Sequence, residues 1–455
     1  MRVCFLPIDN RPVCTTLASD IVACSSGVEF FTPPRDFLGG LNTYTNIEKI
    51  YDWMQNLPKV DYMIVSLDTI AYGGLVASRR RSDSYDNIKA NLDKFKQLFR
   101  EKADKVLAFS SIMRISNNNI NVEEKEYWSK YGKRIFDYSY HTSKAGKWGM
   151  ESCVAKLIPD EILNDYMATR RRNFEINKLY LDWEKEGVFD LLIFSKDDCA
   201  EYGFNVDEAK ELEALGGNVI TGADEIPLTL LARAMKKPIS IYPLFVEEAS
   251  KNLISKYEDI SVEESVKRQI HLAGFGIKSY EEADIILIVN NFLHEQGEIV
   301  MKVDTKPFQG EISTILPLKK PYIIADVRFA NGSDNALVKQ LLEYGRSNNF
   351  IAYAAWNTTA NTLGSLLCMT KYLWGEELQR PVVNKLLATR FLDDWAYQAN
   401  IRQTLNEPRN INTDMSNFVV NVEKFLKCKI PHYNFTYPWN RLFETEVDIQ
   451  AEADR

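Results

Sequence analysis

The feature that most constrains this chain is a recurring unit: a short run of Val, Ile, Leu and Phe that ends abruptly in a polar or Gly/Pro cluster and is followed by a helix-like polar stretch. Ten such runs occur, at residues 3–8, 28–31, 62–67, 106–113, 189–194, 218–221, 239–245, 284–289, 322–325 and 350–355. Their hydrophobicity is continuous rather than alternating, so both faces of each strand must be covered, and this is the pattern of a mainly parallel sheet flanked by helices. The chain is therefore α/β, built of repeated βα units. Ten runs predict a (β/α)8-like barrel with extra strands; the alternative is two doubly wound α/β domains with a boundary near residue 238. Residues 84–100 and 207–215 read as helices with a charged outer face, and 256–271 as a surface helix. Beyond residue 376 the strand pattern stops, and Leu386, Leu387, Phe391, Trp395 and Ala399 recur at helical spacing. The expected organisation is an α/β catalytic region over 1–375 and a helical C-terminal cap with an irregular tail over 376–455.

Charge and composition exclude several classes of function. Lys and Arg total 55 against 63 Asp and Glu, a net charge of −8, which leaves no electrostatic footprint for nucleic acid or an anionic membrane. No stretch approaches the roughly 20 apolar residues that a membrane span needs. Residues 1–9 read as a strand running into polar residues rather than a secretory segment, so a soluble cytoplasmic protein is expected. The four histidines (His141, His271, His294, His432) are scattered, and the seven cysteines form no CxxC pair. That pattern predicts reduced thiols and neither a His/Cys metal centre nor a bound cofactor.

In parallel α/β folds ligands bind at the carboxyl ends of the strands, where loops converge and helices begin. The residues that follow the runs are accordingly the candidates: Asp9 and Arg11, Asp68 and Tyr72, Arg114, Asp197 and Asp198, Asp224, Asp326 and Asn331, Trp356 and Asn357. Some neighbours have a structural reading. Asp9 and Arg11 can pair or cap the next helix, Gly73-Gly74 and Asn331-Gly332 suit tight turns, Thr358-Thr359 and Asn361 suit a helix cap, and Asp224-Glu225 suits a helix N-terminus. Asp197-Asp198 is different, because two adjacent carboxylates after a buried run repel, which is the condition for splitting acid and base roles. Tyr72, Tyr202, Tyr353, Trp356 and Trp439, with several amides, suit a polyhydroxylated ligand. The expected activity is hydrolysis of a glycosidic bond in a small or oligosaccharide substrate. Asp197 and Asp198 form the acid/base pair, and Asp9, Arg11, Asp68, Tyr72, Arg114, Asp224, Asp326, Asn331, Trp356 and Asn357 shape the substrate site. Two other classes stay open. One is a Mg²⁺- or Mn²⁺-dependent phosphate-ester hydrolase using Asp9, Asp68, Asp197 and Asp326, and the other is a two-domain protein closing on a small polar ligand.

Pro7-x-Asp9-x-Arg11-Pro12, Tyr72-Gly73-Gly74-Leu75 with Ser78-Arg79, Gly222-Ala223-Asp224-Glu225, Asp326 with Asn331-Gly332-x-Asp334, Trp356-Asn357-Thr358-x-x-Asn361-Thr362-Leu363-Gly364 and Pro438-Trp439-x-Arg441-x-Phe443-Glu444 recur in one order. Together they resemble the bacterial domain-of-unknown-function family numbered 4127 over nearly the whole chain. That resemblance implies no activity and no catalytic residues. A shorter stretch, Asp197-Asp198 followed by Val219-Ile220-Thr221-Gly222 and a late strand ending at Asn357, is similar to the O-linked N-acetylglucosaminidase family of (β/α)8 barrels. This second resemblance implies substrate-assisted hydrolysis of an N-acetylated sugar, Asp197 orienting the acetamido group and Asp198 donating the proton.

Overall fold

All ten apolar runs form strands, because unbroken Val/Ile/Leu/Phe sequences bury both faces of a pleated ribbon. The computed structural model describes residues 1–146, 155–197, 199–317, 319–375 and 378–453. The chain divides into two compact units. Unit 1 comprises Met1–Asn10, Glu29–Pro227 and Tyr257–Asp259; unit 2 comprises Arg11–Val28, Leu228–Lys256 and the chain from Ile260 onward.

In unit 1 the strands are β1 (Arg2–Leu6), β2 (Glu29–Phe31), β3 (Val60–Ser66), β4 (Ala103–Ile112), β5 (Leu191–Lys196) and β6 (Asn218–Thr221). They form one parallel sheet in the order β2-β1-β3-β4-β5-β6, with Cys4 of β1 between Phe31 and Met63. Helices Ile47–Gln55, Tyr85–Lys102 and Asp160–Lys185 cover it. Leu92, Phe95 and Phe99 of the second and Ile176, Tyr180 and Trp183 of the third share one apolar core with Met63, Val65, Val106 and Leu192 of the strands. The 85–102 helix starts where Ser84 accepts a hydrogen bond from the Asn87 N–H, as the polar cap before an amphipathic run predicts.

Unit 2 holds β7 (Ser240–Phe245), β8 (Gly276–Ile277), β9 (Ile285–Asn290), β10 (Gly297–Glu298), β11 (Tyr322–Asp326), β12 (Phe329–Ala330), β13 (Phe350–Ala354), β14 (His432–Thr436) and β15 (Glu446–Gln450). The main sheet is again parallel, in the order β13-β11-β9-β7-β8. Helix Thr359–Leu373 is buried on every side against β11, β13 and helix Val262–Leu272, which explains its lack of a polar face.

The mainly parallel α/β expectation holds. Among the described residues the strands pair in a six-stranded and a five-stranded sheet, both parallel, with two further two-stranded pairs, β10/β12 and β14/β15, an arrangement nearer the two-sheet alternative than the barrel. Two local expectations change. The segment read as one helix over 256–271 begins instead with a turn in which Tyr257 takes a positive φ of 67°, and the helix starts only at Val262. The tail expected to be irregular carries the antiparallel hairpin β14/β15, in which Val447 and Ile449 point inward between exposed polar residues. The expected helical periodicity over 385–404 is realised as an α-helix (Arg380–Arg390), a π-helical stretch (Phe391–Asn400) and a 3₁₀ turn (Ile401–Thr404). No helix among the described residues is long and apolar enough to cross a membrane.

Candidate active site

In unit 1 the strand order reverses between β1 and β3, and in doubly wound sheets the crevice for a ligand opens at the carboxyl edge beside such a reversal. The backbone turns meeting there are pressed together. Gly73, at φ 92°, ends helix Leu67–Tyr72, and a Cβ on Gly39 would lie 2.4 Å from the Gly73 carbonyl oxygen. The Gly73-Gly74 pair is therefore a helix stop under close packing. Thr69 ties the turn to β1 by donating its hydroxyl to the Pro7 carbonyl at 2.7 Å.

Asp68 enters this edge from β3 and is 1% exposed. Its Oδ2 accepts the Ser111 N–H at 2.8 Å, and burial pushes its pKa up to about 7, against the opposing effect of the Ser111 bonds. Asp68 thus braces the ends of β3 and β4 from beneath. Asp9 and Asp224 are also enclosed, at 3% and 5% exposure. Tyr72 is buried with the Arg172 guanidinium over its ring at 5.3 Å, so its face is already occupied.

Charge reaches the surface farther along the same edge. Arg114, just past β4, donates from Nη2 to Glu123 at 2.8 Å, from Nε to Glu124 at 3.3 Å and from Nη1 to Asp197 at 3.4 Å. Arg79 binds the same two glutamates, at 2.9 Å to Glu124 and 3.3 Å to Glu123. The side chains of Arg114, Glu123 and Asp197 keep 17%, 18% and 20% of their surface exposed, whereas Arg79 keeps 1%. Beside them Lys196, the last residue of β5, pairs with Asp259 at 2.5 Å, and Thr221 donates to the other oxygen of that carboxylate at 2.9 Å. Strand-end reasoning singled out Arg114 and Asp197 but missed Glu123, Lys196 and Asp259. Lys196 is adjacent to Asp197 in sequence and was the one legible signal; Glu123 and Asp259 lie in loops that no apolar run marks.

The remaining expected residues lie in unit 2. Arg11 is 3.7 Å from Glu444 and stacks over Trp439 at 5.1 Å. Asp326 is fully buried, accepting from Asn290 (2.8 Å), the Asp334 N–H (2.7 Å) and the Tyr353 hydroxyl (2.9 Å). Burial, with the charge of Asp334, pushes its pKa up to about 7. Asn331 and Asn357 both take a φ of 62°, and the Asn331 N–H donates to the Asn357 carbonyl at 2.8 Å. Trp356 is 4% exposed, with its ring 6.3 Å from Phe443. Tyr353 and Trp439, expected as stacking faces, are instead committed: Tyr353 lies 4.8 Å from and parallel to Phe391, and Trp439 is covered by Arg11 and Arg441. Thr358 caps helix Thr359–Leu373 as expected. Asp198 lies outside the described residues.

Among the described residues no group of three or more His, Cys, Asp or Glu side chains is placed to hold a metal ion. No curated protein and no solved structure matches the chain. Residues 3–448 match the family described as Protein of unknown function (DUF4127), and the chain belongs to that family.

Proposed function

We propose that the protein is a hydrolase that cleaves a glycosidic bond by carboxylate acid/base chemistry at the carboxyl edge of the six-stranded sheet. One observation carries the reading. Asp197 and Glu123, each about one-fifth exposed, bind the two terminal nitrogens of a single guanidinium, Arg114. Sharing that group keeps their oxygens within the roughly 9.5 Å that bounds paired glycosidase carboxyls, whether retaining or inverting. Arg114 also fixes the direction in which both carboxyls point, as an orienting carboxylate requires. Asp197 is that carboxylate. Asp198, adjacent in sequence, is the proton donor, with Glu123 as the other carboxyl within reach of the same guanidinium. The substrate is an oligosaccharide or small glycoside, and the six described cysteines are free, in keeping with a cytoplasmic setting.

The test is turnover of a panel of aryl glycosides by the wild type and by Asp197→Asn, Asp198→Asn and Glu123→Gln, with folding followed by circular dichroism. Loss of an acid or base is expected to lower kcat by about 10²–10⁴-fold. Full activity in both aspartate variants, or a silent panel for the wild type, overturns the proposal.

A further inference from the structure

Three of the motifs singled out in the sequence bring residues together away from the catalytic edge, at one cavity within unit 2. Pro12, Trp356 and Glu444, one from each motif, line it together with Thr16, Arg390 and Asp393. The three are far apart in sequence: Pro12 precedes helix Thr16–Ala23, Trp356 follows β13 and Glu444 precedes β15. The cavity has a volume of about 30 Å³. That is room for about two water-sized groups, since each needs roughly 10–15 Å³.

Charge at the cavity is largely matched. Lys385 holds Asp20 at 2.8 Å, Arg390 holds Asp393 at 3.4 Å and Arg441 holds Glu444 at 2.6 Å, while Glu446 accepts the Thr16 hydroxyl at 3.2 Å. A bare cation or anion finds little net field there. Hydrogen-bonding capacity is not matched. Arg390 is 5% exposed and its Nε is enclosed without a hydrogen-bond partner. Trp356 is 4% exposed, and its indole N–H has no acceptor among the described residues. Two donors are thus left over, which is costly in an enclosed place. Acceptors are left over too: each carboxylate has about four lone-pair sites, and Thr16 and Thr445 spend their own protons on Glu446 and Asp393. An ammonium group offers nothing to Arg390 and Trp356, and a carboxylate or phosphate offers nothing to the acids. A hydroxyl donates and accepts through one uncharged atom, so it answers both. The apolar part of the lining, Val13, Leu17 and Val447 beside the Trp356 ring, suits the C–H groups that carry those hydroxyls.

We infer that this cavity is a binding site for a neutral polyol, taking two adjacent hydroxyls of a sugar, cyclitol or glycerol-like ligand. Those hydroxyls accept from Arg390 and Trp356 and donate to the surrounding carboxylates. The site does not depend on the hydrolase reading, since neither Arg114, Glu123 nor Asp197 lines it.

The experiment is a saturation-transfer NMR titration of the full chain with glycerol, myo-inositol and glucose, and with methylammonium and acetate as charged controls, using the wild type, Trp356→Phe, Val13→Leu and Asp197→Asn. At least one polyol is expected to bind the wild type saturably, and neither ion to do so. Trp356→Phe keeps an aromatic ring but removes the N–H, and is expected to weaken polyol binding about tenfold. Val13→Leu adds a methylene to the wall of a cavity with room for only two hydroxyls, and is expected to weaken binding at least as much. Asp197→Asn, at the catalytic edge, leaves this binding as it is. Silence of all three polyols, binding of an ion in their place, or wild-type affinity in both cavity variants overturns the inference. Loss of polyol binding in Asp197→Asn alone would place it at the catalytic edge and overturns it equally. Val13→Leu preserves the comparison should Trp356→Phe fail to fold.

Discussion

The turn after β6 makes a sharp prediction about pH. Glu225 folds back there so that its carboxyl accepts the Ala223 N–H at 3.0 Å, in the space a side chain on Gly222 would fill. Glu225 is completely buried, and burial, reinforced by the charges of Asp224 and Glu258, pushes its pKa up to about 8 from an ordinary 4.5. Between those two values the folded chain holds a proton that the unfolded chain has released. Proton binding is then greater in the native state, so stability must fall as pH rises through this window and level off above about 8. At 1.36 kcal/mol per unit of pH, raising the pH from about 5 to about 7.5 removes roughly 3 kcal/mol through this one group. Glutamine has the same shape, keeps an acceptor for Ala223 and never ionises. Glu225→Gln is therefore expected to gain on the wild type by about 3 kcal/mol over that range, read from chemical denaturation at both pH values. A difference between the two proteins that is constant with pH to within about 0.5 kcal/mol would mean that Glu225 is ionised in the folded chain, and would refute the reasoning.

Three further predictions follow from single contacts. Gly222→Ala places a Cβ 1.7 Å from Glu225 Oε1 on a residue with φ +131°, and is expected to cost about 3 kcal/mol or more, measured by the same denaturation. Thr69→Val removes the hydroxyl that ties the Asp68 turn to the Pro7 carbonyl at 2.7 Å; a loss of about 1–2 kcal/mol is expected, and no loss would show that the turn is held by packing alone. Native thiol titration with a disulfide reagent should label Cys199 first among the described cysteines. Cys4 and Cys368 are fully buried with pKa values pushed far up, and burial takes Cys24 to about 12, so labelling of any of these three before Cys199 would contradict the core packing.

The strands were legible because continuous hydrophobicity is a local property: each of the ten runs is long enough to show it, from Val3 to Ala354. Strands β8, β10 and β12 have two residues each, too few for any periodic signal, and β14 and β15 bury only alternate side chains at the end of a helical region. Strand order was not legible, because it depends on partners far apart in sequence: β7 pairs with β8 and β9 rather than with β6. Placing candidates at strand ends gathered Asp9, Asp68, Arg114, Asp197 and Asp224 on one edge. It could not show that Arg11, two residues after Asp9, belongs to the other unit, nor that Asp68 accepts the Ser111 N–H. Exposure is a tertiary property, and it separates Asp197 from Asp68 although both follow buried runs.

Both units share the arrangement in which the first strand lies between the second and third, so topology alone offers a crevice in each. Side chains decide which one is open. In unit 2 the ends of β7 and β9 are stitched shut: Asn291 accepts the Glu247 N–H at 2.9 Å and donates to the Glu247 carbonyl at 3.0 Å. Arg328 spans Glu247 at 2.9 Å and Asn290 at 3.1 Å, while Asp326 and Tyr353 close the next strand ends. Asn290, Asn291, Arg328, Asp326 and Tyr353 are each at most 1% exposed. In unit 1 the corresponding bracing by Thr69 and Asp68 closes β1, β3 and β4, but beyond it Arg114 meets carboxylates that remain partly in solvent. Substitutions at the unit 2 stitches should therefore be read as changes in stability, and those at Asp197 and Glu123 as changes in chemistry.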